Sequence, residues 1–148
     1  DAILGFAERS GSAAVYNSAA LLSRDGCVAD VYRKVHLRAH EDVKYDGPFT
    51  AGEAFMTHML KYGGLQQFEL GTMICFDREV PESVRCLRAL GAQLIACPLA
   101  TDTGNVTETH AQANNELITR CRAAENEVYI AVVNHSGRFN GGSYVVGP

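Results

Sequence analysis

The sequence predicts a layered α/β fold, and three observations point to it. Apolar strand-like runs alternate with helix-like segments through the second half, as in strands joined by helical crossovers. Residues 128–133 form a β-branched run of the kind that buried strands use. Between Pro81, suited to a first helical turn, and Gly91, suited to a helix stop, Val84, Leu87 and Leu90 recur at helical spacing.

Taken in order, residues 3–7 read as a short buried strand and 8–13 as a polar loop rich in Gly and Ser. Residues 15–22 and 27–32 read as strands joined at the hairpin signal Asp25-Gly26. The polar stretch 33–52, with Pro48, reads as a long loop. Residues 55–60 form the next strand, Gly63-Gly64 a turn, and 65–70 and 71–75 two further strand pieces. The helix from Pro81 gains favourable charge from Glu82, and its Val84, Leu87 and Leu90 stripe is assigned to the core. Residues 93–97 read as a buried strand ended by Pro98, and 101–107 as a loop. The helix expected over 108–125 has Ala111, Leu117, Ile118, Cys121 and Ala124 as its inner stripe. After the 128–133 strand, 134–142 is a glycine-containing loop and 143–146 a final strand fragment. Repeats, low-complexity tracts and linkers are absent from the sequence.

The 148 residues suit one domain with a real core. Apolar residues at 47% and charged residues at 20% exclude a disordered chain, a collagen repeat and a coiled coil. No apolar run is long enough to span a bilayer, nothing at the start reads as a signal peptide, and no membrane partner is expected. A net charge of −4 without a basic stripe argues against nucleic acid. The five cysteines lack any CxxC pair, which argues against a disulfide framework, a zinc ribbon or a thioredoxin-type site. A reduced, cytoplasmic protein is expected. The chain opens on Asp1 inside one apolar run and ends just after another, so both ends read as cut.

Cys75 is the strongest candidate for chemistry. It follows the apolar Thr72-Met73-Ile74, precedes the polar Asp77-Arg78-Glu79, and stands shortly before a helix. A strand–nucleophile–helix turn projects a side chain into a cleft and aims backbone N–H groups at the same point. The alternative is a buried structural cysteine. Lys34, in Tyr32-Arg33-Lys34-Val35-His36-Leu37, stands between a strand and the long loop, where an ammonium can stabilise an oxyanion; a solvated surface lysine is the plainer reading. Glu41 and Asp42 follow in that loop, Asp42 reading as a solvated charge. His36 and His40 are spaced as metal ligands only on a helix, which this segment does not resemble, so no metal is expected. A Cys75–His dyad stays open, with nothing selecting among His36, His40, His58, His110 and His135. The charged Arg122-Ala123-Ala124-Glu125-Asn126 reads as a structural helix end.

Together these segments resemble the nitrilase, or carbon–nitrogen hydrolase, superfamily, with the matches in the family's order. Gly5-Phe6-Ala7-Glu8-Arg9 and Tyr16-Asn17-Ser18-Ala19 resemble the strands of its central hairpin. Tyr32-Arg33-Lys34-Val35-His36-Leu37 resembles its lysine motif. The run from Gly71-Thr72-Met73-Ile74-Cys75 through Phe76-Asp77-Arg78-Glu79-Val80-Pro81-Glu82 resembles its cysteine motif. Gly91-Ala92 with the strand to Pro98, Arg122-Ala123-Ala124-Glu125-Asn126 and Gly141-Gly142-Ser143 complete the series.

The resemblance implies an α-β-β-α sandwich, incomplete at both ends, with residues 1–148 the central part of a single domain. It makes Cys75 the nucleophile and Lys34 the oxyanion donor, aided by the Phe76 backbone N–H. Glu41 becomes a supporting acid that holds Lys34, while Arg78 and the 99–101 region, Ala100 included, line the pocket. His36 matches a frequent motif position without a catalytic role. The family's general-base glutamate lies before the strand at Gly5, and Glu8 does not match its motif. Phe76-Asp77 resembles the amidase and carbamoylase branches, whereas nitrile hydrolysers usually carry Trp-Glu there. A small amide or N-carbamoyl substrate, no cofactor and a homo-oligomer are therefore expected. The alternatives are a non-catalytic remnant serving as an oligomerisation or small-molecule-binding module, and an ordinary α/β binding domain.

Overall fold

Two β-sheets face each other, with helices packed outside the larger one. The computed structural model describes residues 1–148 except 12, 65, 101–107 and 136–141, and the backbone but not the side chains of 108–115. The smaller sheet is an antiparallel meander of β1 (Ala2–Ser10), β2 (Ala14–Leu22) and β3 (Val28–Arg33). The Asp25-Gly26 signal falls in the β2–β3 turn, where Gly26 takes φ 81°. The larger sheet has the order β4 (Thr57–Tyr62), β5 (Gln66–Thr72), β6 (Leu94–Leu99), β7 (Tyr129–Asn134) and β8 (Tyr144–Val146). Strands β5, β6 and β7 are parallel, while β4 and β8 pair antiparallel to β5 and β7. Parallel neighbours need crossovers, supplied by α1 (Pro81–Ala89) and α2 (Glu108–Asn126). This is the expected α/β fold.

The core lies between the larger sheet and its helices. Val84 and Leu87 of α1, Ile95 and Cys97 of β6, Ala123 of α2, and Ile130 and Val132 of β7 are all buried in one cluster. The fit is close at Gly71, where a Cβ would approach Leu87, Ala92 and Ile95 to 3.2–3.3 Å. A second cluster, of Ala19, Tyr32 and Ile74 with Phe55 against it, joins the smaller sheet to the end of β5.

Several expectations need correction. Strand β1 is longer than expected and largely exposed, Leu4 and Phe6 included; among the described residues it pairs with β2 alone. The two pieces expected over 65–75 are one strand, β5, which ends at Thr72. Pro98 lies inside β6: pairing with β5 stops at Ala96, so its missing N–H is not needed on that side. Leu90 is exposed just past the end of α1. Among the described side chains of α2, Thr119, Ala123 and Asn126 are buried, whereas Leu117, Cys121 and Ala124 face out. The Thr119 hydroxyl lies 2.9 Å from that of Tyr144, which adds a polar contact to this face. Ala111 and residues 101–107 lie outside what is described. At the end of α2, Arg122 pairs with Glu125 and donates to the Glu79 carbonyl, the structural role expected of it.

Candidate active site

The peptide leaves β5 at Thr72 and stays tied to the sheet through Met73 N–H, which donates to the Ala96 carbonyl at 3.1 Å. It then turns sharply. Cys75 takes φ 49°, a left-handed conformation costly for a residue with a Cβ, and opens the 3₁₀ turn Cys75–Glu79. The strand–turn–helix geometry expected around Cys75 is present, with Pro81 beginning α1 two residues beyond the turn.

Lys34 follows β3 directly. Its N–H donates to the Asn17 carbonyl at 2.8 Å, and its own carbonyl accepts from Gly52 N–H at 2.8 Å. The residue is 2% exposed, so it is no solvated surface lysine. Its Nζ donates to both oxygens of Glu41, at 2.8 and 2.6 Å. The Glu41 carboxylate also accepts from Arg38 N–H at 2.9 Å and from Asn17 Nδ2 at 3.3 Å. Burial pushes the Glu41 pKa up, but the Lys34 ammonium and the other donors outweigh it and hold the carboxyl below the usual range.

Two glycines allow this segment to close on itself. A Cβ on Gly52 would stand 2.2 Å from the Arg33 carbonyl oxygen, and one on Gly47 would stand 2.3 Å from the Glu41 carbonyl carbon. Neither position was singled out in the sequence, since close approach between distant backbones leaves no local signal.

Cys75, Lys34 and Glu41 line one cavity of about 300 Å³. Asn17 adds to its polar end, while Phe6, Pro98, Leu99 and Ala100 supply an apolar wall. His135 borders the same cavity. Of the pocket residues expected from the sequence, Ala100 is on the wall. Arg78 is not among the lining residues: it is 1% exposed, turned into the core, where its charge bears on Cys97 and Tyr144. Burial nonetheless pushes the Cys97 thiol up to about 12. Phe76, also expected at the pocket, is likewise not among the lining residues; its ring is covered by the Arg38 guanidinium, 4.9 Å from its centroid. Glu8 is engaged by Arg33 and Ser18; the Arg33 hydrogen bonds hold its carboxyl below the usual range.

Asp77 is the residue that sequence reasoning undervalued. It is fully buried and accepts from Tyr32 OH at 2.7 Å, Ile74 N–H at 2.9 Å and His36 N–H at 2.8 Å. His36 Nδ1 lies 3.2 Å from Asp77 Oδ1 and 3.1 Å from Ser83 Oγ, so this histidine is held structurally. Among the described residues, no three His, Cys, Asp or Glu side chains are grouped to hold a metal ion. Among those residues, too, no helix is long and apolar enough to cross a membrane.

Comparison with known proteins adds an independent line of observation. Residues 2–148 match the carbon-nitrogen hydrolase family. The chain is 33% identical to an (R)-stereoselective amidase of a Pseudomonas species over 152 residues, 99% of this chain and 49% of that protein. It is 30% identical to human omega-amidase over 139 residues, 88% of this chain and 45% of that one. The chain thus spans about half the length of the curated relatives it matches. The crystal structure of an amidase from Nesterenkonia superposes with a TM-score of 0.79 at 30% identity, covering 99% of this chain and 52% of that one. A variant of that amidase carries the acetamide moiety of fluoroacetamide covalently added at its active-site cysteine.

Proposed function

The chain belongs to the carbon–nitrogen hydrolase family, and from that premise we propose that it carries the nucleophile and the oxyanion site of an amidase. The observation that carries this reading is the single cavity lined by Cys75, Lys34 and Glu41, which come from two separate segments of the chain. Cys75 attacks the carbonyl carbon of a small amide or N-carbamoyl compound as its thiol proton passes to a base. An S–C bond forms, and the carbonyl oxygen takes the electron pair. In this reading that oxyanion is met by the Lys34 ammonium and by the Phe76 backbone N–H. The C–N bond breaks, the amine leaves with the proton, and a thioester remains. Water then adds, the acid departs, and the Cys75 thiol is restored.

Glu41 in this reading positions Lys34 and is not the base, since its carboxylate is already taken up by the ammonium. The proton-accepting carboxylate is assigned to a glutamate of the larger protein that precedes Gly5, where the family resemblance puts it. Residues 1–148 would then be the central part of one catalytic domain. The Phe76-Asp77 pair after the nucleophile supports an amide over a nitrile. The relatives, named as amidases, nitrilases and hydrolases, lend no support to a non-catalytic remnant. The test is ammonia release by the full-length protein from matched amides, N-carbamoyl compounds and nitriles. The reading requires release from the first two that is abolished in Cys75→Ala; release from nitriles alone contradicts it.

A further inference from the structure

We propose that Asp77 is a positioning residue that fixes the Lys34 ammonium against the Cys75 thiol. The inference rests on the roles proposed for Lys34 and Cys75. Those two residues lie on different elements, one just past β3 and one just past β5, and the oxyanion geometry depends on how these elements dock. Among the side chains that link these segments, Asp77 is the fully buried one that bonds to both. Its Oδ2 accepts from Ile74 N–H, immediately before the nucleophile, and from Tyr32 OH, two residues before the lysine. Its Oδ1 accepts from His36 N–H, two residues after the lysine. The Tyr32 hydroxyl in turn accepts from Val35 N–H at 3.3 Å. Lys34 is thus bracketed on both sides by groups held on one carboxyl of the cysteine turn.

The environment makes this tie stiff. Asp77 is 0% exposed and Tyr32 2%, so water cannot substitute for a lost bond. Ile74 and Tyr32 share a buried cluster, so the polar tie and the apolar contact act on the same pair of elements. Because Asp77 also supports the left-handed Cys75 turn through Ile74, losing it loosens both the thiol and its approach to the ammonium. A displacement of about 1 Å in a reacting geometry can cost about 10²-fold in rate.

The test compares full-length wild type, Asp77→Asn, Tyr32→Phe and the double variant, with Cys75→Ala as the inactive reference. Asp77→Asn is expected to lower kcat about 10²-fold with KM changed less than about threefold, after correction for folded fraction by circular dichroism. Tyr32→Phe is expected to lower kcat by a smaller factor and to add little in the Asp77→Asn background, because its hydrogen bond is already compromised there. If Asp77→Asn does not fold, the near-isosteric Tyr32→Phe carries the test. Wild-type kcat in either single variant, or losses no larger than the loss of folded protein, overturns the proposal. A crystal structure of Asp77→Asn or Tyr32→Phe decides the matter without turnover. A shift of Lys34 Nζ relative to Cys75 Sγ of more than about 0.5 Å is expected, and unchanged geometry overturns it. Absence of turnover in the wild type, by contrast, counts against the amidase reading and leaves the structural comparison intact.

Discussion

Lys34 and Glu41 form a two-pronged ion pair, with Nζ at 2.8 and 2.6 Å from the two carboxylate oxygens, the Lys34 side chain 1% exposed and that of Glu41 14%. Truncating one partner of such a pair strands the other charge, at a cost of about 3–5 kcal/mol. Glu41→Ala is therefore expected to lower stability by an amount in that range, read from urea unfolding at pH 7. Glu41→Gln keeps the shape and one acceptor and is expected to lose less stability. Its turnover is nonetheless expected to fall about 10²-fold, because the ammonium loses its charged anchor.

The same pair sets an acid limit. The Glu41 carboxyl titrates below its ordinary 4.5 in the folded protein. Its stabilisation is therefore full above that value and is lost as pH falls through the lowered folded value. Wild type and Glu41→Gln should differ in stability by a constant amount above pH 4.5 and converge below it. Urea unfolding of both proteins from pH 7 down to pH 3 reads this; a gap that widens in acid contradicts it.

Gly52 and Gly47 should be intolerant for a reason unrelated to turn conformation. A methyl at Gly52 would meet the Arg33 carbonyl oxygen at 2.2 Å, so the loop must lift away from Lys34. Gly52→Ala is expected to cost about 2 kcal/mol or more, at the upper end of overpacking effects, and to reduce turnover with it. Gly5→Ala, whose nearest neighbour is 4.0 Å away, should change stability by less than about 0.5 kcal/mol.

Much of this was legible because the signals are local. Asp25-Gly26 marked the β2–β3 turn, and Pro81 with Gly91 bracketed α1, where Gly91 indeed takes φ 100°. The lysine and cysteine segments were recognisable because each is a contiguous run. What stayed hidden depends on contacts across the chain. Asp77 looked like a polar turn residue, yet its partners Tyr32 and His36 lie 45 and 41 positions away. On the described part of α2 the buried residues are Thr119, Ala123 and Asn126, two of them polar, so counting apolar residues points to Leu117, Cys121 and Ala124 on the exposed side. Arg78, which the family resemblance puts in the pocket, is instead turned into the core.

The thiols should separate by environment. Cys97 is buried and pushed up to about 12, so it stays protonated in mild alkali. Cys27, Cys86 and Cys121 are exposed, and Cys75 is half-buried at the cavity. Iodoacetamide at pH 8.5 followed by peptide mapping should label those four and spare Cys97 until the protein is unfolded. Labelling of Cys97 in the folded protein contradicts this.

In the proposed reaction Cys75 forms a thioester with the acyl group of an amide. Intact-mass spectrometry of the full-length protein, quenched in acid during turnover of a small amide, tests it most directly. The account predicts a mass increase equal to the acyl group, mapped to Cys75 and absent in Cys75→Ala. Turnover that persists in Cys75→Ala, or an acyl group mapped to any other residue, would contradict it.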